Sequence, residues 1–222
     1  MRGSADPRVP SLKVYGYACS GMGYVARLVQ STFWPDAVPA AEPTDRTIHW
    51  SKPLNGRATL LPHHGLLGDS RAPVVLRPRR SIYVYRDGRD VALDLWACAG
   101  IVPSGQTACF GDWLRTAHNW RGAPGLEAMP TASRFLWHDW REHLAAGSRT
   151  GAMLLRCEDA VRMPQATVAQ VERWFELERR ADPEAGPRSA PRIKAWEDRM
   201  SSADQSLFNA VISPRFFGRF GK

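Results

Sequence analysis

Two short stretches combine residue types and spacing that can hold an anion. The first, "VYGYACSGMGYVARLVQ" over residues 14–30, runs from an apolar segment through small residues into an amphipathic helical pattern. Such a turn leaves backbone N–H groups free at a helix N-terminus, where the helix dipole also favours negative charge. Ser20 adds a hydroxyl donor. Small residues at a strand-to-helix turn also serve packing alone, and no Gly-Lys-Ser/Thr triplet follows, so this is not a nucleotide-triphosphate loop. The second stretch, "YVYRDGRDVALDLW", puts Arg86 at the carboxyl end of a strand, ahead of a turn and a helix. Ligands of open α/β sheets lie at such ends, and two of them can face one ligand.

The elements that must position these turns follow from periodicity. Leu12–Tyr17 reads as the first strand; the helix after it gathers Val25, Leu28 and Val29 on one face and is stopped by Pro35 soon after Phe33. Residues 35–57, rich in Pro, Ala and charge, read as an irregular connection with a short strand at "TIHWS". "RATLLPHH" reads as a second core strand and "RSIYVYR" as a third, with "RDVALDLWACAG" helical after it. Helices are expected over about 110–120 and 131–145, with Trp113, Trp120, Trp137 and Trp140 as bulk. "GAMLLRCED" reads as a strand, followed by a helix ending in "VERWFEL". The alternation predicts an α/β fold of three layers, a mostly parallel central sheet flanked by helices. Residues 1–11 read as a disordered or tag-derived tail, and 12–222 as one domain with a mobile loop at about 178–195.

Composition narrows the ligand. The 222 residues suffice for one domain with a substantial core, and 30 Lys and Arg against 22 acids leave a formal charge of +8. That excess suits nucleic acid, an anionic surface or a small polyanion. The basic residues are dispersed, with no RNA-binding aromatic motif and no zinc pattern, so a small phosphorylated ligand is favoured over nucleic acid, and no metal is expected. Cys19, Cys98, Cys109 and Cys157 stand at wide, irregular spacings with no apolar leader, which reads as reduced thiols in a cytoplasmic chain. No apolar run approaches the roughly 18–20 residues that span a bilayer.

Taken in order, the two anion-holding elements resemble the sulfotransferases that use 3'-phosphoadenosine 5'-phosphosulfate (PAPS). In that family a strand ending Tyr-Pro-Lys/Arg-Ser-Gly-Thr opens the chain, and a later Arg-Asn/Asp-Pro-Arg/Lys-Asp-Val-Ala element binds the 3'-phosphate. "GAMLLRCEDAVRMP" is similar to the family's strand ending in a Tyr-Glu-Asp turn, and "APRIKAWEDRMSS" to its C-terminal basic-Gly-Trp segment, so the resemblance covers roughly residues 12–202. It implies a P-loop, nucleotide-kinase-like fold with a five-stranded parallel sheet. It also implies sulfuryl transfer from PAPS to a hydroxyl or amine of a small molecule or glycan, with 3'-phosphoadenosine 5'-phosphate (PAP) as product.

Carried over residue by residue, the resemblance sets the 5'-phosphosulfate over Ser20, Gly21, Met22 and Gly23, flanked by Cys19 and Tyr24, and gives the 3'-phosphate to Arg86. The family's catalytic His ends the strand between these elements. Alignment favours His64 over its neighbour His63, and a neutral imidazole with a pKa near 6.5 suits proton removal close to neutral pH. Arg188, Arg192 and Lys194 either fold over the nucleotide or form a solvated basic loop.

Three positions depart from the family pattern: Cys19 stands for a Lys or Arg, Asp94 for the Ser at the 3'-phosphate, and Lys194 near a Gly. Two unit charges about 4 Å apart at an effective dielectric near 20 repel by about 4 kcal/mol, more than the roughly 1.5–3 kcal/mol of one charge-assisted hydrogen bond. Asp94 is therefore expected to point away, to pair with a neighbouring Arg, to position an acceptor amine, or to mark a different donor. The plainer expectations are Arg86 paired with Asp87 or Asp90 on the surface, Arg89 as a solvated helix-start residue, and Glu158 and Asp159 after a strand as caps of the next helix, with Glu158 as an alternative base. Cys19 is expected to be a neutral, partly buried thiol, and Trp96 and Trp137 could line an acceptor pocket. The rival functions are a kinase-like transferase with another phosphorylated donor, and a nucleotide-binding protein with little turnover.

Overall fold

The computed structural model describes residues 12–17, 19–35, 58–60, 81–99, 109–115, 117–118, 133–134, 140, 144, 147–148, 151–183 and 190–211. "SIYVY" alternates in a period of two, and as β3 (Ser81–Tyr85) it sends Ile82 and Val84 to one face and Tyr83 to the other, all three at most 1% exposed. A strand apolar on both faces needs cover on both, and it lies inside a sheet. β1 (Leu12–Gly16) pairs parallel with β2 (Ala58–Leu60) on one side and with β3 on the other, and β3 pairs parallel with β6 (Met153–Arg156), giving the order β2-β1-β3-β6.

Helices form the outer layers. α1 (Met22–Phe33) and α5 (Pro164–Phe175) cover one face, where Val25, Leu28, Val168 and Val171 pack with Leu12, Val14, Ile82, Val84 and Leu155. α2 (Gly88–Ala99), α3 (Phe110–Arg115) and α7 (Ser202–Val211) cover the other, around Tyr83, Leu93, Trp113, Trp140 and Phe208. A fully buried leucine such as Leu28 contributes about 1.5–3 kcal/mol by leaving water. The two short helices α4 (Cys157–Arg162) and α6 (Ala195–Arg199) lie at the site described below. This is the three-layer α/β arrangement that the sequence implies.

Two expectations are corrected. The helix expected to reach residue 120 ends at Arg115, and the one expected over 131–145 does not start at 131, although Trp140 and Leu144 within it are helical: Ala117–His118 (β4) pairs antiparallel with Ser133–Arg134 (β5). Cross-strand pairing overrides a weak local helical pattern. Within the expected loop at 178–195, the amides of Arg180 and Ala181 both donate to the Thr32 carbonyl, at 3.0 and 3.1 Å, which anchors its first part to α1. The "TIHWS" strand, Trp120 and Trp137 lie outside the described residues. Among the described residues no helix is long and apolar enough to cross a membrane.

Candidate functional site

β1 and β3 are adjacent and parallel, in register from Lys13 opposite Ser81 to Gly16 opposite Val84, so the turns at their carboxyl ends open on the same edge of the sheet. The first turn reverses tightly. Cys19 and Gly21 both adopt left-handed backbone, at φ 59° and 80°, and the Ser20 amide donates to the Tyr17 carbonyl at 3.1 Å. Gly21 is required twice over, because a Cβ there would be strained and would run into the Cys157 thiol. Gly21 caps α1, whose first N–H groups, on Met22, Gly23 and Tyr24, have no carbonyl of their own helix to reach. The Ser20 amide is thus engaged inside the turn, whereas its hydroxyl is buried and has no partner among the described residues. Cys19 is half-buried, is in no disulfide and packs against the apolar core.

Arg86 directly follows β3, and its side chain is only 1% exposed. Its Nη1 donates to the Cys19 carbonyl at 2.9 Å and to Asp94 Oδ2 at 2.5 Å, and its Nη2 donates to the Arg192 carbonyl at 2.6 Å; Nε is buried without a partner. Burial opposes the guanidinium charge, but the Asp94 carboxylate, through its field and its hydrogen bond, outweighs it, and Arg86 holds its proton more firmly than an ordinary arginine. Of the alternatives left open by the sequence for Asp94, the structure takes the salt bridge. The surface pairing of Arg86 with Asp87 or Asp90 does not occur.

Those two acids have other partners. Asp87 takes Arg89, through Nε at 2.9 Å and Nη2 at 2.5 Å, and its amide donates to Glu158 Oε1 at 2.8 Å. The Arg89 guanidinium also lies 3.5 Å over the ring of Trp196. It is therefore not the solvated residue expected, because a planar cation gains from an aromatic face as well as from a carboxylate. Neither α4 nor α5 has a side-chain cap, so Glu158 does not cap the next helix as expected; it caps the start of α2 across the sheet edge and pairs with Arg156 at 3.2 Å.

Asp90, 1% exposed, accepts the amides of Lys194 at 2.8 Å and Trp196 at 3.1 Å, the start of α6. Desolvation raises its pKa above the ordinary value, with the Arg86 charge and the two amides pulling the other way. Lys194 stands in left-handed backbone at φ 59°, which accounts for a Gly being expected there. Its ammonium pairs with Glu197 at 2.5 Å, and Arg192 pairs with Asp198 at 3.0 Å. This late segment therefore meets the site through backbone groups. Trp196 was not singled out in sequence and Asp90 only as a surface partner for Arg86, since partners more than a hundred residues apart leave no local signal. Trp96 packs edge-on against Phe110 in the core at 5.5 Å. His63, His64 and Arg188 lie outside the described residues. Among the described residues, no group of three His, Cys, Asp or Glu side chains could hold a metal.

The donor implied by the sequence resemblance has two anionic ends, and the residues fit one of them. The free amides of the first turn of α1 and the unpartnered Ser20 hydroxyl suit a 5'-phosphosulfate. At the other end the guanidinium that would take a 3'-phosphate is already held by Asp94 and two carbonyls.

No protein-family model matches this chain, and no curated protein matches it in sequence. Among solved structures it is similar to mouse sulfotransferase SULT7A1 complexed with PAP, at a TM-score of 0.55 and 10% identity, over 91% of this chain and 82% of that one. The parallel order β2-β1-β3-β6, the helices on both faces and this structural match make the chain a member of the sulfotransferase fold.

Proposed function

We propose that this chain is a sulfotransferase, moving a sulfuryl group from an adenine nucleotide 5'-phosphosulfate, the donor type that PAPS represents, to a hydroxyl or amine of a small molecule or glycan. The observation that carries the reading is the 2.9 Å hydrogen bond from Arg86 Nη1 to the Cys19 carbonyl, which joins the two anion-holding turns into one site at the carboxyl ends of adjacent parallel strands. The fold shared with a PAP-bound sulfotransferase supports it.

When bound, such a donor supplies an activated sulfuryl group whose transfer depends mostly on positioning and charge neutralisation. In this reading the first-turn amides of α1 and the Ser20 hydroxyl hold the 5' end, Arg86 with its partner Asp94 faces the other end of the nucleotide, and His64 takes the acceptor proton. The chain is read as cytoplasmic, and Arg188 as part of the segment beside the nucleotide. The test is transfer of radiolabelled sulfate to a panel of hydroxyl and amine acceptors, from adenosine 5'-phosphosulfate and from PAPS. Labelled product should fall by roughly 10²–10⁴ in His64→Ala, with nucleotide affinity nearly unchanged. Nucleotide binding without transfer from either donor would replace this reading by a binding protein, which the lack of a cation at Cys19 favours.

A further inference from the structure

We infer that Asp94 is a specificity-determining residue, and that the nucleotide this site takes carries a free 3'-hydroxyl in place of the 3'-phosphate. The inference rests on the nucleotide-binding reading given above and specifies its ligand as an adenosine 5'-phosphate or 5'-phosphosulfate.

The Arg86 guanidinium that would face a 3'-phosphate is buried and engaged by Asp94 Oδ2 at 2.5 Å, by the Cys19 carbonyl at 2.9 Å and by the Arg192 carbonyl at 2.6 Å. All three are oxygen acceptors, and the Nε that has no partner is itself buried, so a phosphate oxygen arriving here meets acceptors before it meets a donor. The surrounding charge points the same way. Arg86 feels two acids, Asp94 and Asp90, while the neighbouring cations Arg192 and Lys194 are paired with Asp198 and Glu197. A dianion brought here meets, among the described residues named above, cations that already have carboxylate partners.

A hydroxyl meets a better one. The Asp94 side chain is 36% exposed, and its Oδ1 has no partner among the described residues while Oδ2 is locked on Arg86. A partly exposed carboxylate fixed by an arginine through one oxygen has its other oxygen left to accept a hydrogen bond from a ribose hydroxyl. The same exchange separates dinucleotide sites in general: an acid reads the free hydroxyl, and an arginine in the open reads the phosphate.

The experiment titrates the whole chain with 5'-AMP and with adenosine 3',5'-bisphosphate by calorimetry, alongside Asp94→Ser and Asp94→Asn. Wild type should bind 5'-AMP more tightly by about tenfold or more, the scale of one charge-assisted hydrogen bond. Asp94→Ser frees Arg86 and should reverse the preference. Asp94→Asn keeps an acceptor on Arg86 without the charge, so it covers the case in which the Ser variant fails to fold, and it should abolish the discrimination against the bisphosphate. Equal affinities in wild type, or a preference for the bisphosphate, would overturn the inference while leaving the sulfotransferase reading intact. Failure of both nucleotides to bind any of the three proteins would overturn the inference together with the nucleotide-binding reading beneath it.

Discussion

The Asp90 carboxylate accepts the backbone amide of Lys194 at 2.8 Å, 104 residues further along the chain. With its second oxygen on the Trp196 amide it caps α6 and fastens the late segment, Arg192 carbonyl included, over Arg86. Asp90→Ala leaves two amides without acceptors and should cost about 1–3 kcal/mol for each that stays buried, read by thermal or urea unfolding. Faster amide exchange at residues 194–196 should accompany the loss.

The raised pKa of Asp90 sets the sign of a pH effect. The fold holds this proton more tightly than the unfolded chain, so the contribution is fully present below the ordinary value of 3.8 and is lost as pH rises through the folded value. Asp90→Asn cannot ionise. Wild type should therefore lose stability relative to Asp90→Asn as pH rises from about 4 toward neutrality, measured by unfolding across that range. A gap independent of pH would remove the assigned cause.

Gly21→Ala combines left-handed backbone with a collision at the Cys157 thiol. The backbone part alone costs about 1–2 kcal/mol. The expected outcome is a clearly lowered melting temperature. A Cys157→Ala background should restore the part due to the collision and leave the part due to φ.

Arg89→Ala removes both the fork on Asp87 and the cation over Trp196, and should destabilise by about 0.5–2 kcal/mol. Arg89→Lys should recover only part of this, because an ammonium cannot pair bidentately and stack at once. Full recovery by Lys would reduce the interaction to simple charge.

Cys19, at φ 59° and in no disulfide, has a carbonyl that ties the two turns together through Arg86. Cys19→Ser should be nearly silent in stability and nucleotide binding, since the backbone makes the contact. Cys19→Lys should tighten binding of a 5'-phosphosulfate or its 5'-phosphate analogue by about tenfold or more, by adding a charged donor to the turn. A sulfur adduct on Cys19, detected by intact mass after incubation with donor, would make the thiol a nucleophile instead.

Much of this architecture is written in local sequence. The period of two in "SIYVY", the apolar stripe of Val25, Leu28 and Val29, and the small residues of "CSGMG" specify strand, helix and turn from neighbours alone, and their order implies a parallel sheet with two turns on one edge. Parallel strands β1 and β3 need a crossover, and the crossover brings Cys19 and Arg86 together as a consequence of topology. What the sequence left open was who pairs with whom. Arg86 had Asp87, Asp90 and Asp94 all within eight residues, and only the packing of α2 beneath the late segment selects Asp94, because Glu158 and Arg89 take Asp87 while Lys194 and Trp196 take Asp90. The short pair β4 and β5 was likewise invisible, its two-residue strands being too brief for any period to register. Charge and hydrogen-bond partners depend on distances across the chain, and those distances exist only once the chain has folded.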